Sequence, residues 1–171
     1  AGQKIRAVTT DRPCPLCSGG RRETRYSASP LWRHVVCQDC GLVYVSPLPA
    51  GLSERNDDAY GHAAGSPPAL QHRIPRRHLR ELTFLGRGGV GSLLDVGCGT
   101  GRFLLAARER GWSVAGVDVA EANATAAQGA GLNVRGSLLA DAGFEPGRFS
   151  AVRVNQVIEH ATDPLGLLRD V

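Results

Sequence analysis

Four of the five cysteines form two pairs with the same internal spacing. Cys14 and Cys17 are separated by two residues, and Cys37 and Cys40 repeat that spacing further along the chain. Two such pairs, each in a tight turn, can supply four thiolates to a tetrahedral Zn²⁺. Two disulfides or an iron–sulfur cluster are the alternatives, and disulfides fit poorly with the cytoplasmic location that we expect. We predict a zinc site, and a structural one, because four thiolates leave no open coordination position.

A glycine-rich loop forms the second chemical motif. The sequence Asp95-Val-Gly97-Cys-Gly99-Thr-Gly101 follows an apolar run and precedes a helical pattern. Glycines let the backbone approach a ligand closely, and the start of a helix offers free N–H groups. Asp118 ends the next apolar run, where a carboxylate can accept hydrogen bonds from both hydroxyls of a ribose. The pattern predicts a nucleoside-containing cofactor at the carboxyl ends of two strands.

The glycine spacing also separates two classes of cofactor. A dinucleotide fingerprint reads G-x-G-x-x-G, whereas this loop reads G-x-G-x-G and continues with Arg102. Asp95 lies just before the loop, where it would repel a pyrophosphate but attract, directly or through water, an ammonium group. The loop therefore fits a zwitterionic, cationic cofactor better than a phosphate-bearing one.

Short apolar runs alternate with helical patterns after residue 91. The patterns predict strands over 93–96, 113–117, 132–135 and 151–157, and helices over 103–109, over 121–130 and from 163 onwards. Pro75 and the leucines at 79, 82 and 85 predict an earlier helix, which glycines end. This alternation favours an α/β fold, with a parallel sheet and helices on both faces. We divide the chain into a zinc-ribbon module (1–46), a Pro- and Gly-rich linker (47–72) and the α/β part (73–171).

The composition is that of a globular protein. The chain has 171 residues, of which 42% are hydrophobic and 21% are charged, and these fractions argue against a disordered or coiled-coil chain. No run approaches the roughly 18 apolar residues of a membrane span, so no membrane span is expected. The formal net charge of +4 is weak support for nucleic-acid binding, because the arginines in residues 21–33 are best explained as a solvated face.

At this point the sequence resembles class I S-adenosylmethionine-dependent methyltransferases. The stretch from Leu93 to Leu104 is similar to their first motif, and Gly116-Val-Asp118 is similar to the acidic end of their second strand. Residues 149–164 resemble their fourth strand and the loop after it. A bacterial subgroup also carries two Cys-x2-Cys pairs followed by Gly-Leu-Val-Tyr and a proline, to which residues 37–47 are similar.

The resemblance implies a Rossmann-like methyltransferase fold and S-adenosylmethionine as the cofactor. It assigns cofactor contacts to Asp95, Gly97, Gly99, Gly101, Asp118, Val119, Ser137 and Leu138. Asp95 would help to hold the amino group, Asp118 would bind the ribose hydroxyls, and Val119 would lie beside the adenine. Ser137 and Leu138 fall where members contact the adenine, although members often have an acid at the position of Ser137.

Methyl transfer is an in-line displacement, in which the protein positions the acceptor and sometimes removes its proton. His160 is the candidate general base, and Glu159 is its orienting partner or a second base. The alternative for His160 is a structural role near a helix start. Tyr60 is a candidate contact to cofactor or substrate, and Cys98 is expected to be a packing residue.

The family's sheet has seven strands, whereas this sequence accounts for four. We therefore expect the chain to be a fragment of a longer protein, or a partner to complete the sheet. The predicted function is methyl transfer from S-adenosylmethionine to a small-molecule, sugar- or lipid-linked acceptor. The alternative is a non-catalytic zinc-ribbon and cofactor-binding module that acts on RNA or a protein partner.

Overall fold

The computed structural model describes residues 9–27, 32–49 and 76–171. Its N-terminal part contains five short strands, namely β1 (Thr9–Thr10), β2 (Arg22–Tyr26), β3 (Arg33–Cys37), β4 (Val43–Ser46) and β5 (Leu48–Pro49). Strands β2, β3 and β4 form an antiparallel sheet in that order, and β1 pairs antiparallel with β5. The predicted linker lies mostly outside the described residues, as does Tyr60, and the proposed domain boundaries stay a prediction.

The C-terminal part alternates strands and helices. Its elements are α1 (Arg76–Leu85), a 3₁₀ turn (Gly86–Gly88), β6 (Ser92–Val96), α2 (Arg102–Arg108), β7 (Ser113–Val117), α3 (Glu121–Gly129), β8 (Val134–Arg135), β9 (Ala151–Val154), a second 3₁₀ turn (Ile158–His160) and α4 (Pro164–Asp170). The four strands form one parallel sheet in the order β8-β7-β6-β9. The predicted α/β fold class is therefore confirmed.

Helices cover both faces of this sheet, because successive side chains of a strand point to opposite sides. On one face, Leu93 of β6 packs with Leu82 of α1 and Phe103 of α2. On the other face, Leu94 lies in a cluster that includes Leu167 of α4. The sheet thus has α1 and α2 on one side and α4 on the other, as the alternating sequence pattern predicts. No helix of the described residues is long and apolar enough to cross a membrane.

Two strands are shorter than predicted. The fourth strand of the parallel sheet ends at Val154 instead of residue 157, since Gln156 has a φ of 58° and leaves the extended conformation. The third strand pairs only at Val134 and Arg135. Leu132 is buried in a cluster with Ala127 of α3, so its apolar character reflects packing outside the strand.

His78 lies on the packed side of α1. Its ring is half-buried and meets Phe103 edge-on, with ring centroids 5.4 Å apart. Burial lowers the pKa of His78, and the nearby Arg153 lowers it further. The face of α1 that carries His78 and Leu82 therefore packs against α2 and the sheet.

Two glycines of the loop between β6 and α2 differ in how closely neighbouring side chains approach them. They therefore offer a matched test of the packing around this loop. A Cβ on Gly101 would overlap the Cδ1 atom of Leu132, and the backbone φ there is +79°. Gly99 has a φ of +56°, but a Cβ there meets no heavy atom within 4 Å. Left-handed backbone costs a non-glycine residue about 1–2 kcal/mol, and overpacking adds about 1–3 kcal/mol.

We therefore expect Gly101→Ala to lower the free energy of unfolding by about 2–5 kcal/mol, and Gly99→Ala by about 1–2 kcal/mol. Urea denaturation followed by circular dichroism measures both values. Equal losses in the two variants would contradict the packing described for Gly101.

Candidate functional site

The glycine loop is held at the carboxyl edge of the parallel sheet by backbone hydrogen bonds. The amides of Gly97 and Cys98 both donate to the carbonyl oxygen of Val117, the last residue of β7, at 2.8 and 3.0 Å. Gly97, Gly99 and Gly101 all have positive φ, between 56° and 79°. The loop therefore requires glycine at these positions to turn from β6 into α2.

Asp118 braces the same loop. Its side chain follows β7 and is buried, and its Oδ2 accepts a hydrogen bond of 2.7 Å from the amide of Gly99. Its Oδ1 accepts hydrogen bonds from the amide of Ala120 and from the Nδ2 atom of Asn123. The sequence predicted a ligand contact for Asp118 but gave no sign of this bracing contact. A carboxylate has about four acceptor positions in all, so capacity for a further donor remains.

Asp95 lies at the centre of a buried ion cluster. Its side chain is fully buried, and its Oδ1 accepts a hydrogen bond of 2.9 Å from Nη1 of Arg153. The Nε atom of Arg153 donates to Glu81 of α1 at 2.7 Å, and its guanidinium lies 4.0 Å from the ring centroid of Phe103. The parallel register of β6 and β9 places Asp95 directly opposite Arg153.

One oxygen of this buried carboxylate has no protein partner. Among the described residues, Oδ2 of Asp95 and Nη2 of Arg153 are buried without a hydrogen bond. A buried polar atom normally has a partner, so such an atom calls for an explanation such as a ligand. Sequence patterns did not reveal the roles of these two residues. Glu81 lies outside the motifs, the resemblance gives Arg153 no role, and only the strand register brings Arg153 to Asp95.

Burial dominates the electrostatics of the loop. It raises the pKa of Asp95 to about 6, although the charge and hydrogen bond of Arg153 act in the opposite direction. Burial alone would lower the pKa of Arg153, but Asp95 and Glu81 raise it above the ordinary value. Burial also raises the pKa of the Cys98 thiol. Cys98 is therefore a neutral packing residue in this structure, as expected.

The space beside Gly99 tests whether the loop can hold the predicted cofactor. A Cβ would overlap Val157 at Gly97 and Leu132 at Gly101, but at Gly99 it would enter open space. Open space beside one glycine and an unpartnered carboxylate oxygen at Asp95 suit a ligand with an ammonium group. The residues present thus fit a cofactor of the S-adenosylmethionine type.

Apolar side chains follow the neighbouring strands at the same edge. Val119, after β7, is 51% exposed, and Leu138, after β8, is 62% exposed. Ser137 is half-buried, and its hydroxyl donates to the carbonyl oxygen of Leu138 at 3.0 Å. Large apolar side chains exposed at the carboxyl edge of a parallel sheet lie where ligands of such sheets bind.

The two candidate catalytic residues lie in the 3₁₀ turn that follows β9. Glu159 is exposed and His160 is half-buried. The amide of His160 donates to the carbonyl oxygen of Val157 at 2.9 Å. This turn leaves the carboxyl end of β9, so both residues share an edge of the sheet with the glycine loop.

The four paired cysteines converge in the N-terminal part. The Sγ atoms of Cys14 and Cys40 are 3.6 Å apart, and those of Cys17 and Cys37 are 3.5 Å apart. All four sulfurs lie within 4.8 Å of one another. A tetrahedron with Zn–S bonds of about 2.3 Å has S–S edges of about 3.8 Å, so these side chains fit a zinc ion.

Each cysteine pair lies in the same type of turn. The amide of Ser18 donates to the carbonyl oxygen of Cys14, and the amide of Gly41 donates to that of Cys37, both at 2.9 Å. Ser18 and Gly41 then take the positive φ that closes each turn, 60° and 78°. The two turns thus present their sulfurs to a common centre.

The N-terminal part also contacts the loop after the candidate catalytic turn. Nη1 of Arg12 donates to the carbonyl oxygen of Thr162 at 3.1 Å, and its Nε donates to the carbonyl oxygen of Val45 in β4. The guanidinium of Arg12 lies over the ring of Tyr44. Arg12 therefore links the cysteine-bearing sheet to the segment that follows His160.

The chain is similar to several solved structures of methyltransferases. The plantazolicin methyltransferase BpumL, in complex with a triazolic desmethylPZN analog and SAH, matches with a TM-score of 0.50 and 15% identity over 69% of this chain and 47% of that chain. Magnesium protoporphyrin IX methyltransferase (ChlM) from Synechocystis PCC 6803 has a TM-score of 0.48 and 18% identity, over 68% and 55% of the two chains.

A SAM-dependent methyltransferase from Bacteroides fragilis, in complex with S-adenosyl-L-homocysteine, has a TM-score of 0.38 and 27% identity, over 46% of this chain and 33% of that chain. The chain spans about half or less of the length of most of the solved structures that it matches, from 21% to 55%. No curated protein gives a significant match.

Residues 70–171 match the family described as Methyltransferase domain. This match covers more than half of the chain, and it includes the glycine loop, the ion cluster around Asp95 and the turn that carries His160. The parallel sheet, with its loop at the carboxyl edge, agrees with the match. The chain therefore belongs to the methyltransferase-domain family.

Proposed function

We propose that this chain binds S-adenosylmethionine and takes part in methyl transfer to a small-molecule, sugar- or lipid-linked acceptor. The observation that carries the proposal is the glycine loop, which Asp118 holds through the amide of Gly99 beside open space. Family membership supports the class of reaction. When bound, the cofactor supplies an electrophilic methyl group, so the protein has to bind, orient and in some cases deprotonate the acceptor.

Two groups of residues would hold the nucleoside. The carboxylate of Asp118 already accepts hydrogen bonds from Gly99, Ala120 and Asn123, and we propose that the ribose hydroxyls share its one remaining acceptor position. A carboxylate that is already oriented loses little entropy when it binds. We propose that Val119 and Leu138 then enclose the adenine, with Ser137 beside them.

The methionyl part would lie along the loop. Gly97, Gly99 and Gly101 would line it, since side chains at these positions would overlap neighbours or fill the open space. Asp95 would attract the amino group through its unpartnered Oδ2. This arrangement favours a ligand with a positive charge and disfavours a pyrophosphate.

For the chemistry we propose His160 as the general base and Glu159 as its orienting partner. Both lie in the turn after β9, at the edge of the sheet that carries the glycine loop. Imidazole side chains are the most frequent general bases in enzymes. Asp163, which caps α4 by accepting from the amide of Gly166, fixes the chain direction just after this turn.

We propose that Zn²⁺ binds the four cysteines and acts structurally. With four thiolate ligands it stabilises a small module whose buried core is limited to a few side chains, among them Val35 and Tyr44. The link from Arg12 to Thr162 would then let this module support the turn that carries His160.

The acceptor class rests on the resemblance to the bacterial subgroup with paired cysteines. The rival function, a non-catalytic module that binds RNA or a protein, would use the basic residues of the cysteine-bearing part. Two of these already form ion pairs there, Arg21 with Asp39 and Arg22 with Asp11. These pairs reduce the positive charge that is available to RNA.

Asp118→Asn tests the cofactor site. The substitution keeps the shape of the side chain but removes its charge, and hydrogen bonds to a charged group are worth about 1.5–3 kcal/mol. We expect the affinity for S-adenosylhomocysteine to fall about 10- to 100-fold in calorimetric titration. Asp170→Asn, at the exposed end of α4, is the matched control. Unchanged affinity in a folded Asp118→Asn protein would refute the ribose assignment.

His160→Gln separates catalysis from binding. General-base catalysis contributes about 10²- to 10⁴-fold to a reaction rate. The rate at which S-adenosylhomocysteine is released when an acceptor-containing fraction is added should therefore fall by that factor. Calorimetry should show cofactor affinity within about twofold of wild type, because no cofactor contact is assigned to His160. Full turnover in this variant would leave His160 with a structural role only.

Cys40→Ser tests the metal site against Cys98→Ser. Elemental analysis should give one zinc per wild-type chain, a marked loss in Cys40→Ser and full content in Cys98→Ser, since only Cys40 belongs to the cluster. Removal of the metal by a chelator should unfold the N-terminal strands, because metal binding supplies folding free energy in such modules. A fully folded, metal-free N-terminal part would contradict this assignment.

A further inference from the structure

We propose that Arg153 and Glu81 are positioning residues: Arg153 holds Asp95 ionised and oriented, and Glu81 holds the guanidinium of Arg153, so that the free oxygen of Asp95 receives the ammonium group of the cofactor. This inference rests on the proposed function. It assigns roles to two residues to which the family resemblance gave none, and it makes cofactor recognition depend on a strand and a helix outside the glycine loop.

The two oxygens of Asp95 have different surroundings. Arg153 occupies Oδ1 through a hydrogen bond of 2.9 Å, and Oδ2 has no partner among the described residues. Glu81 fixes the other side of the guanidinium at 2.7 Å, and the ring of Phe103 lies against its face. The guanidinium therefore has little freedom, and neither has the carboxylate that it holds.

A merely structural ion pair would leave a different pattern. A buried pair is stable only when its remaining polar atoms are satisfied, yet one oxygen of Asp95 and Nη2 of Arg153 are both buried without partners. Side-chain exposure is 0% for Asp95 and 11% for Arg153, so solvent does not replace the missing partners. An ammonium and a carboxylate, the two charged groups of an amino acid, would satisfy these two atoms.

Burial and the surrounding charges together set the pH range in which Asp95 is ionised. Arg153 of β9 lowers the pKa of Asp95, whereas Glu81 of α1 and Asp118 after β7 raise it. His78 of α1 lies near Arg153, and Arg77 of α1 and Arg102 of α2 are further charged groups near His78. Burial is the largest influence and brings the pKa of Asp95 to about 6.

The test compares two ligands over pH 5 to 8. S-adenosylhomocysteine carries the amino-acid group, and 5′-methylthioadenosine has the same nucleoside and thioether without it. In wild type, we expect S-adenosylhomocysteine affinity to fall about tenfold per pH unit below about pH 6, as one proton is taken up. Binding of 5′-methylthioadenosine should stay level, since it has no ammonium group.

Arg153→Gln should move the midpoint for S-adenosylhomocysteine upward by about 1–3 pH units, since an adjacent arginine lowers a carboxyl pKa by that amount. Glu81→Gln, which keeps an acceptor for Arg153 but removes the negative charge, should move the midpoint downward. Arg153→Lys, which keeps a positive charge, should move the midpoint upward by less than Arg153→Gln does. Arg169→Gln, near the exposed end of α4, should leave it unchanged.

Each result decides between distinct claims. If wild type binds neither ligand, the proposed function fails. If it binds both ligands but the midpoint for S-adenosylhomocysteine is the same in Arg153→Gln, Arg153→Lys and Glu81→Gln, the positioning role is refuted. Equal losses for both ligands in the Arg153 variants would also refute it, because they would reveal general damage to the loop. If Arg153→Gln does not fold, the opposite shifts expected for Arg153→Lys and Glu81→Gln remain decisive.

Discussion

The hydrogen bond from the amide of Gly99 to the carboxylate of Asp118 fixes the glycine loop against the parallel sheet. It joins the ends of two adjacent strands, β6 and β7, at the edge where ligands of such sheets bind. The loop needs this support because it leaves the sheet through three glycines of positive φ, which have no side chains to pack. The open space of the proposed cofactor site lies beside the residue that makes this contact.

The buried Asp95 shows that the site is kept at a cost in stability. Its pKa is raised to about 6 in the folded chain, so between about pH 4 and pH 6 the native state holds a proton that the unfolded state has lost. The free energy of unfolding therefore decreases as pH rises through this window. Above the window, the ionised carboxylate lowers the stability of the folded state. Perturbed, incompletely satisfied groups of this kind concentrate at functional sites.

The fold class was predictable because periodicity, glycine stops and strand length all indicated the same α/β alternation. The cysteine spacing likewise predicted the convergence of four sulfurs. The Arg153–Asp95 pair was not predictable, because it depends on which strands are neighbours and in what register, and Arg153 reads as an interruption of an apolar strand. The burial of His78 was unpredictable for a similar reason, since a polar residue among arginines gives no sign that its ring packs on Phe103.

We propose that the loop accepts a zwitterionic nucleoside and not a dinucleotide. Parallel calorimetric titrations of wild-type protein with S-adenosylhomocysteine and with NADH test it most directly, once a cooperative thermal transition has shown that the chain is folded. We predict saturable one-to-one binding of S-adenosylhomocysteine and no heat of binding for NADH. Binding of NADH, or of neither ligand by the folded chain, would contradict the proposed specificity of the glycine loop.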